Sequence, residues 1–211
     1  MSATQTIARP NMREVAPFGA FGEIGAPTVF GNPNLDITNV TNLDLRYELF
    51  PNVGEVFAVS AFYKKFVDPI VVTYRFAGNP QFTWENVDEG ELYGAEIEVR
   101  KNLDFITPAL EEFDVSANVA YINSSVTIDE RECLLSREVD PNFECERQFA
   151  GQSPIVANVN LSYTNVDQGW DAILAYNYFD DRLSSVGAVG TPDIFEAGRG
   201  QLDLSISKKL N

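Results

Sequence analysis

An apolar period of two runs through almost the whole chain. In 41–50 the odd positions Leu43, Leu45, Tyr47 and Leu49 are apolar, and Asn42, Asp44, Arg46 and Glu48 between them are polar. Phe57, Val59, Ala61 and Tyr63 repeat the pattern against Ala58, Ser60 and Lys64, with Phe62 as an exception. Tyr93, Ala95, Ile97 and Val99 alternate with Gly94, Glu96, Glu98 and Arg100, and Val115, Ala117, Val119 and Tyr121 with Asp114, Ser116, Asn118 and Ala120. Ala157, Val159, Leu161 and Tyr163 continue it, as do Leu202, Leu204 and Ile206. Successive side chains of a strand point to opposite sides, so each run is a ribbon with one oily and one wet face. No comparable helical stripe is present, and 106–113 offers one helical turn at most.

The alternation predicts about eight strands, at 2–9, 39–50, 55–66, 91–102, 113–127, 154–165, 170–181 and 199–210. The connections between them alternate in length. Pro51-Asn52-Val53-Gly54, 103–112 and Val166-Asp167-Gln168-Gly169 are short; 10–38, 67–90, 128–153 and 182–198 are long and rich in Gly, Pro, Asn and acidic residues. All long loops therefore fall at one end of the sheet. Short periplasmic turns opposite long extracellular loops are what an outer-membrane barrel requires. A soluble antiparallel sheet alternates in the same way, so periodicity alone leaves both architectures open.

Three features favour the membrane. The polar faces carry small uncharged residues (Ser60, Ser116, Asn118, Asn158, Asn160, Ser162, Ser205), as suits a watery lumen. Aromatic residues gather towards strand ends, among them Tyr47, Phe57, Tyr63, Tyr93, Tyr121, Tyr163 and Trp170, where they would form interfacial girdles. The runs reach the roughly 9–11 residues of a tilted membrane crossing. The fold class expected is all-β, an antiparallel transmembrane β-barrel portion that forms an open curved sheet in isolation.

Composition closes other routes. The chain has no His, which removes the commonest general base, the usual zinc ligand and every Ser-His-Asp or Cys-His nucleophile system. With 15 Lys+Arg against 31 Asp+Glu, a net charge of −16 argues against nucleic acid as a partner. No apolar run approaches a membrane-spanning helix, and no signal peptide is visible at Met1-Ser2-Ala3-Thr4-Gln5-Thr6.

Specific stretches then resemble one family in its order. They are Thr6-Ile7-Ala8-Arg9-Pro10-Asn11-Met12-Arg13-Glu14, Gly31-Asn32-Pro33-Asn34-Leu35, Asn42-Leu43-Asp44-Leu45-Arg46-Tyr47-Glu48 and Ser60-Ala61-Phe62-Tyr63-Lys64-Lys65-Phe66. Asp68-Pro69-Ile70, Tyr93-Gly94-Ala95-Glu96-Ile97-Glu98, Gly151-Gln152-Ser153-Pro154 and Leu202-Asp203-Leu204-Ser205-Ile206-Ser207-Lys208-Lys209 follow. Together they resemble the C-terminal barrel of TonB-dependent receptors. The resemblance implies an outer-membrane location and energised uptake of a scarce nutrient (siderophore-iron, cobalamin or a glycan), with no enzymatic activity and no cofactor. It implies a larger barrel of about 22 strands around a plug. Residues 1–211 are accordingly expected to be a partial barrel domain, without plug, TonB box or the terminal strand that ends in an aromatic residue. The partners implied are outer-membrane lipid and lipopolysaccharide, the TonB complex through the missing plug, and a small-molecule or oligosaccharide ligand. An eight-stranded native barrel and a soluble secreted β-sandwich binding glycans or cell surfaces are the competing architectures; a sialidase or glycosidase on a β scaffold is the enzymatic one.

Cys133 and Cys145 lie in one long loop, and an oxidising cell surface favours a disulfide between them over two free thiols or a zinc site. Glu85, Asp88, Glu89 and Glu91 form one acidic group, and Asp129, Glu130, Glu132, Glu138, Asp140, Glu144 and Glu146 another. Clustered carboxylates suit a hard cation, yet none has EF-hand spacing and a solvated surface is the expected role. Asp180 and Asp181 beside Arg182 are expected to form an ion group at the rim. Arg9, Arg13, Arg46 and Arg100 are expected at polar faces or strand ends, and Lys64 and Lys65 near lipopolysaccharide phosphates. No catalytic, metal or ligand-binding residue is assigned.

Overall fold

The computed structural model describes residues 1–20, 28–75, 81–187 and 192–209. Eight strands form the wall: β1 (Ser2–Ala8), β2 (Thr38–Leu49), β3 (Val56–Val67), β4 (Glu89–Asn102), β5 (Phe113–Thr127), β6 (Ile155–Asn165), β7 (Trp170–Phe179) and β8 (Arg199–Lys208). They pair antiparallel in sequence order from β1 to β8, and β1 and β8 are the two edges, so the sheet is open. Gly54 closes the β2–β3 turn at φ 83°, a conformation in which a Cβ would be strained.

The register turns the alternation of single strands into a property of the sheet. Glu48, Ala58, Glu98, Asn118, Asn158, Asn177 and Gln201 stand side by side across seven strands. One residue along, on the opposite face, runs the row Tyr47, Val59, Ile97, Val119, Ala157 and Tyr178; on the other flank runs Leu49, Phe57, Val99, Ala117, Val159, Tyr176 and Leu202. A slip of one residue in any strand would put its polar residues into an apolar row. No described element packs on the apolar rows: Ile97 is 50% exposed and Leu202 65%. That excludes the two-layered sandwich for this sheet. The wall's apolar face is left uncovered.

Phe62, the break in the pattern, has a local cause. It pairs with Gly94 and its ring occupies the space where a Cβ on that glycine would lie, 2.6 Å from Phe62 Cζ. A large ring is accommodated on the polar face because its cross-strand neighbour has no side chain.

The packed core sits outside the wall, in the long connections. Phe82, Leu183 and Val186 cluster with Val29 and Val72, all of them from connections at the extracellular end. There the chain departs from the expectation of plain loops. Gly19–Ala20, Thr28–Phe30, Gln81–Asn86 and Ile70–Arg75 form a second sheet in that order, and Arg182–Ser185 pairs with Ile194–Glu196. The absence of helix is also corrected. Glu130–Val139 is an α-helix, started by Asp129, whose carboxylate accepts from the N–H groups of Arg131 and Glu132. Met12–Val15 is a single turn under an Asn11–Glu14 capping box. Within the stretch expected to give one helical turn, Pro108–Leu110 is a 3₁₀ turn, and a second, Leu103–Phe105, lies just before it.

Candidate functional site

Two regions place polar chemistry where a solute could meet it: the polar face of the wall and the loop layer above it. On the wall, Arg46 of β2 is the centre. Its guanidinium donates to Glu48 at 2.6 Å, to Glu98 at 2.7 Å and to Ser60 Oγ at 3.0 Å. Arg100 adds a second contact to Glu98 at 3.0 Å. Asn118 Nδ2 donates to Glu96 at 3.2 Å and Asn160 Nδ2 to Ser116 Oγ at 3.3 Å. Alternation brings these groups together, because residues that face the same side in β2 to β6 are cross-strand neighbours. Glu96, Glu98, Arg100, Ser116, Asn118 and Asn160 line one polar depression on this face. Its amide and hydroxyl groups both donate and accept, which suits hydrated or hydroxyl-rich solutes.

At the periplasmic end the buried Glu55 accepts from Lys101 at 2.5 Å and from Asn52 at 2.9 Å. The Lys101 ammonium holds the Glu55 carboxyl below the usual carboxylate range against the opposing effect of its burial. Aromatic residues mark both ends of the oily face. Tyr63 and Tyr93 are paired neighbours towards the loops; Phe113 and Tyr163 stack with centroids 4.9 Å apart towards the turns, where Lys208 lies over Trp170 at 4.5 Å.

In the loop layer Cys133 and Cys145 are joined by a disulfide with Cα atoms 5.3 Å apart. Beside it lies an ion group that the sequence pattern does not single out. Arg147 pairs with Glu132 at 2.5 Å and with Asp193 at 3.6 Å, and Thr73 Oγ1 donates to Glu132 at 3.2 Å. Glu132 is only 4% exposed, so the solvated role expected of its acidic run fails for this member. The other acidic residues of its helix stay exposed, and the described residues hold no metal-binding group of three His, Cys, Asp or Glu. Arg182 does not pair with Asp180 or Asp181. It reaches across its hairpin to Glu196 at 2.7 Å, while Asp181 accepts from Gly198 N–H at 2.6 Å. Lys65 pairs with Glu89 at 3.1 Å, and Arg13 lies 5.9 Å from the Trp84 ring.

Phe149 shows which way the layer leans. It sits 5.0 Å from Phe66, on the polar-face side of β3, and its N–H donates to Ser124 Oγ at 3.2 Å. The connection 128–154 thus folds inward over the mouth of the lumen.

The chain is similar in fold to several solved structures. The siderophore receptor PirA from Pseudomonas aeruginosa superposes with a TM-score of 0.60 at 14% identity, over 99% of this chain and 32% of that one. A mutant ferric enterobactin receptor, PfeA, from the same organism gives 0.63 at 13% identity, over 99% and 30%. The copper transporter OprC gives 0.64 at 17%, over 99% and 28%. At these identities the likeness is one of fold, and the chain spans about a third of the length of those proteins. No curated protein matches it. The family model described as TonB dependent receptor-like, beta-barrel matches residues 1–211. With its in-phase faces, its one-ended loops and that match over its whole length, the chain belongs to the TonB-dependent receptor β-barrel family of the bacterial outer membrane.

Proposed function

We propose that this chain supplies part of the wall and extracellular loop layer of a transporter that takes up a scarce nutrient, energised through TonB. The observation that carries this reading is the register, which keeps a continuous polar surface on one face and a continuous apolar one on the other. Lipid and lipopolysaccharide would contact the outer face, and the plug that TonB pulls would come from the rest of the receptor. Family membership speaks for transport rather than catalysis.

Siderophore-iron is the favoured cargo class, because two of the matched structures are named as siderophore and ferric enterobactin receptors. Cobalamin and glycans follow. A copper site would have to be built elsewhere in the receptor. Copper favours thiolate, thioether and imidazole donors, and here His is absent, both Cys are disulfide-bonded and only Met1 and Met12 carry thioethers.

Uptake of labelled ferric siderophores, cobalamin and oligosaccharides by cells expressing the full receptor, with and without functional TonB, tests the proposal. TonB-dependent uptake of one of them is expected. Uptake of none, or uptake independent of TonB, overturns it.

A further inference from the structure

We propose that Lys64 is a specificity-determining residue of the polar face, selecting anionic solutes with an aromatic or apolar body over neutral ones. This rests on the transporter reading above and adds to it the charge of the solute. Although expected near lipopolysaccharide phosphates, Lys64 stands on the polar face of β3, between Asn42 of β2 and Leu92 of β4. Its sequence neighbour Lys65 takes the opposite face and is spent on Glu89.

Lys64 is placed unlike the other cations of this face. On the interior strands β2 to β7 those are Arg46 and Arg100. Arg46 pairs with Glu48 and Glu98, and Arg100 with Glu98. Lys64 forms no ion pair among the described residues, in a chain whose 31 acidic residues outnumber its 15 basic ones. Both strands beside β3 are in place, so no missing neighbour accounts for this. Asp44, one row below, accepts from Ser2 at 3.2 Å, and Asn42 directs its amide nitrogen to Thr4 and Thr6.

Rings flank Lys64 instead. Phe62 and Phe66 precede and follow it on the same face of β3. Phe66 packs on Phe149, whose N–H donates to Ser124 Oγ in the register row of Lys64 and Leu92 and whose ring fills the space where a Cβ on Gly90 would lie. An ammonium has three donors and no acceptor. Beside rings and away from carboxylates its charge is not neutralised, and the low-dielectric surroundings strengthen its field. A carboxylate or phenolate oxygen of a solute can accept a charge-assisted bond from it while the rings take the solute's apolar part. A neutral solute gains ring contact alone. Arg46 and Arg100, already paired, do not make that distinction.

Binding of two iron(III) chelates built on one backbone, a trianionic tris(catecholate) and a neutral tris(hydroxamate), to the full receptor in detergent tests it. The native receptor should bind the anionic chelate more tightly. Lys64→Met keeps the stem and removes the charge; it should weaken binding of the anionic chelate about tenfold, as for loss of one charge-assisted hydrogen bond, and leave the neutral one unchanged. Lys64→Arg should retain the preference, and Lys65→Met, on the opposite face, should change neither affinity. Unaltered binding of the anionic chelate by Lys64→Met, an equal loss for both chelates, or an equal loss in Lys65→Met overturns the proposal. So does a native receptor that prefers the neutral chelate or binds neither; TonB-dependent uptake of another solute would then leave the transporter reading standing.

Discussion

Arginine placed on the two faces of the same wall should have opposite outcomes. Ile97 and Asn118 lie in adjacent strands one row apart, Ile97 in an apolar row and Asn118 in the polar one. β4 has 14 residues, so its centre falls between Ala95 and Glu96 and Ile97 lies just below it. With a rise of about 3.4 Å per residue and a tilt of about 40°, Ile97 is about 4 Å from the midplane of an apolar band about 25 Å tall. Arginine at that depth costs about 2–4 kcal/mol. Ile97→Arg is expected to lose about 3 kcal/mol in guanidinium unfolding from phosphatidylcholine vesicles, followed by tryptophan fluorescence of the receptor. Asn118→Arg adds the same charge beside Glu96 and Glu98, in a watery lumen, and should change stability by less than about 1 kcal/mol. Equal costs, or a larger cost for Asn118→Arg, would refute the assignment of the two faces.

Further outcomes follow from local geometry. Gly94→Ala would put a Cβ 2.3 Å from Tyr121 O and 2.6 Å from the Phe62 ring, and should cost about 1–3 kcal/mol of overpacking in thermal unfolding, only partly restored by Phe62→Leu because the carbonyl clash remains. Replacing Cys133 and Cys145 together by Ser removes a bridge across a separation of 12 and should weaken the loop layer by about 3 kcal/mol in the chain-entropy account; limited proteolysis should cut within 128–154 and spare the wall. Glu55 contributes a pH-dependent term. Its carboxyl is held low in the fold, so its stabilisation is present above the ordinary carboxylate range and is lost as pH falls through the folded value. Glu55→Gln should flatten that acid limb of the unfolding profile, and an unchanged limb would assign it to other groups.

The wall was legible because its physics is two-fold and local. Each strand carries its own alternation, so Leu43 to Leu49 or Tyr93 to Val99 declare a strand without knowledge of the neighbours. The family resemblance then supplied the context that periodicity could not. The loop layer was far less legible. Ile70–Arg75 is a strand-forming run, but its partner Gln81–Asn86 carries Gln, Glu and Asn and reads as loop. The helix Glu130–Val139 lacks an apolar stripe and is announced only by Asp129 followed by Glu130 and Glu132, a cap signal easily lost in an acidic run. Arg182 looks paired with its sequence neighbours, yet hairpin register sets its partner, Glu196. The Arg147 group was hidden for the same reason: its members span residues 73 to 193, and no spacing rule joins them.

That the oily cluster of Phe82, Leu183 and Val186 stands above the ribbons rather than between them has a practical consequence. In the proposed transporter one half of this chain is organised by hydrocarbon and the other by water, so no single medium tests both. Swapping lipid for surfactant should loosen the staves while the canopy holds. Mild chaotropes in the aqueous phase should do the reverse, and a melting curve of the whole should show two steps whose order the experimenter can choose.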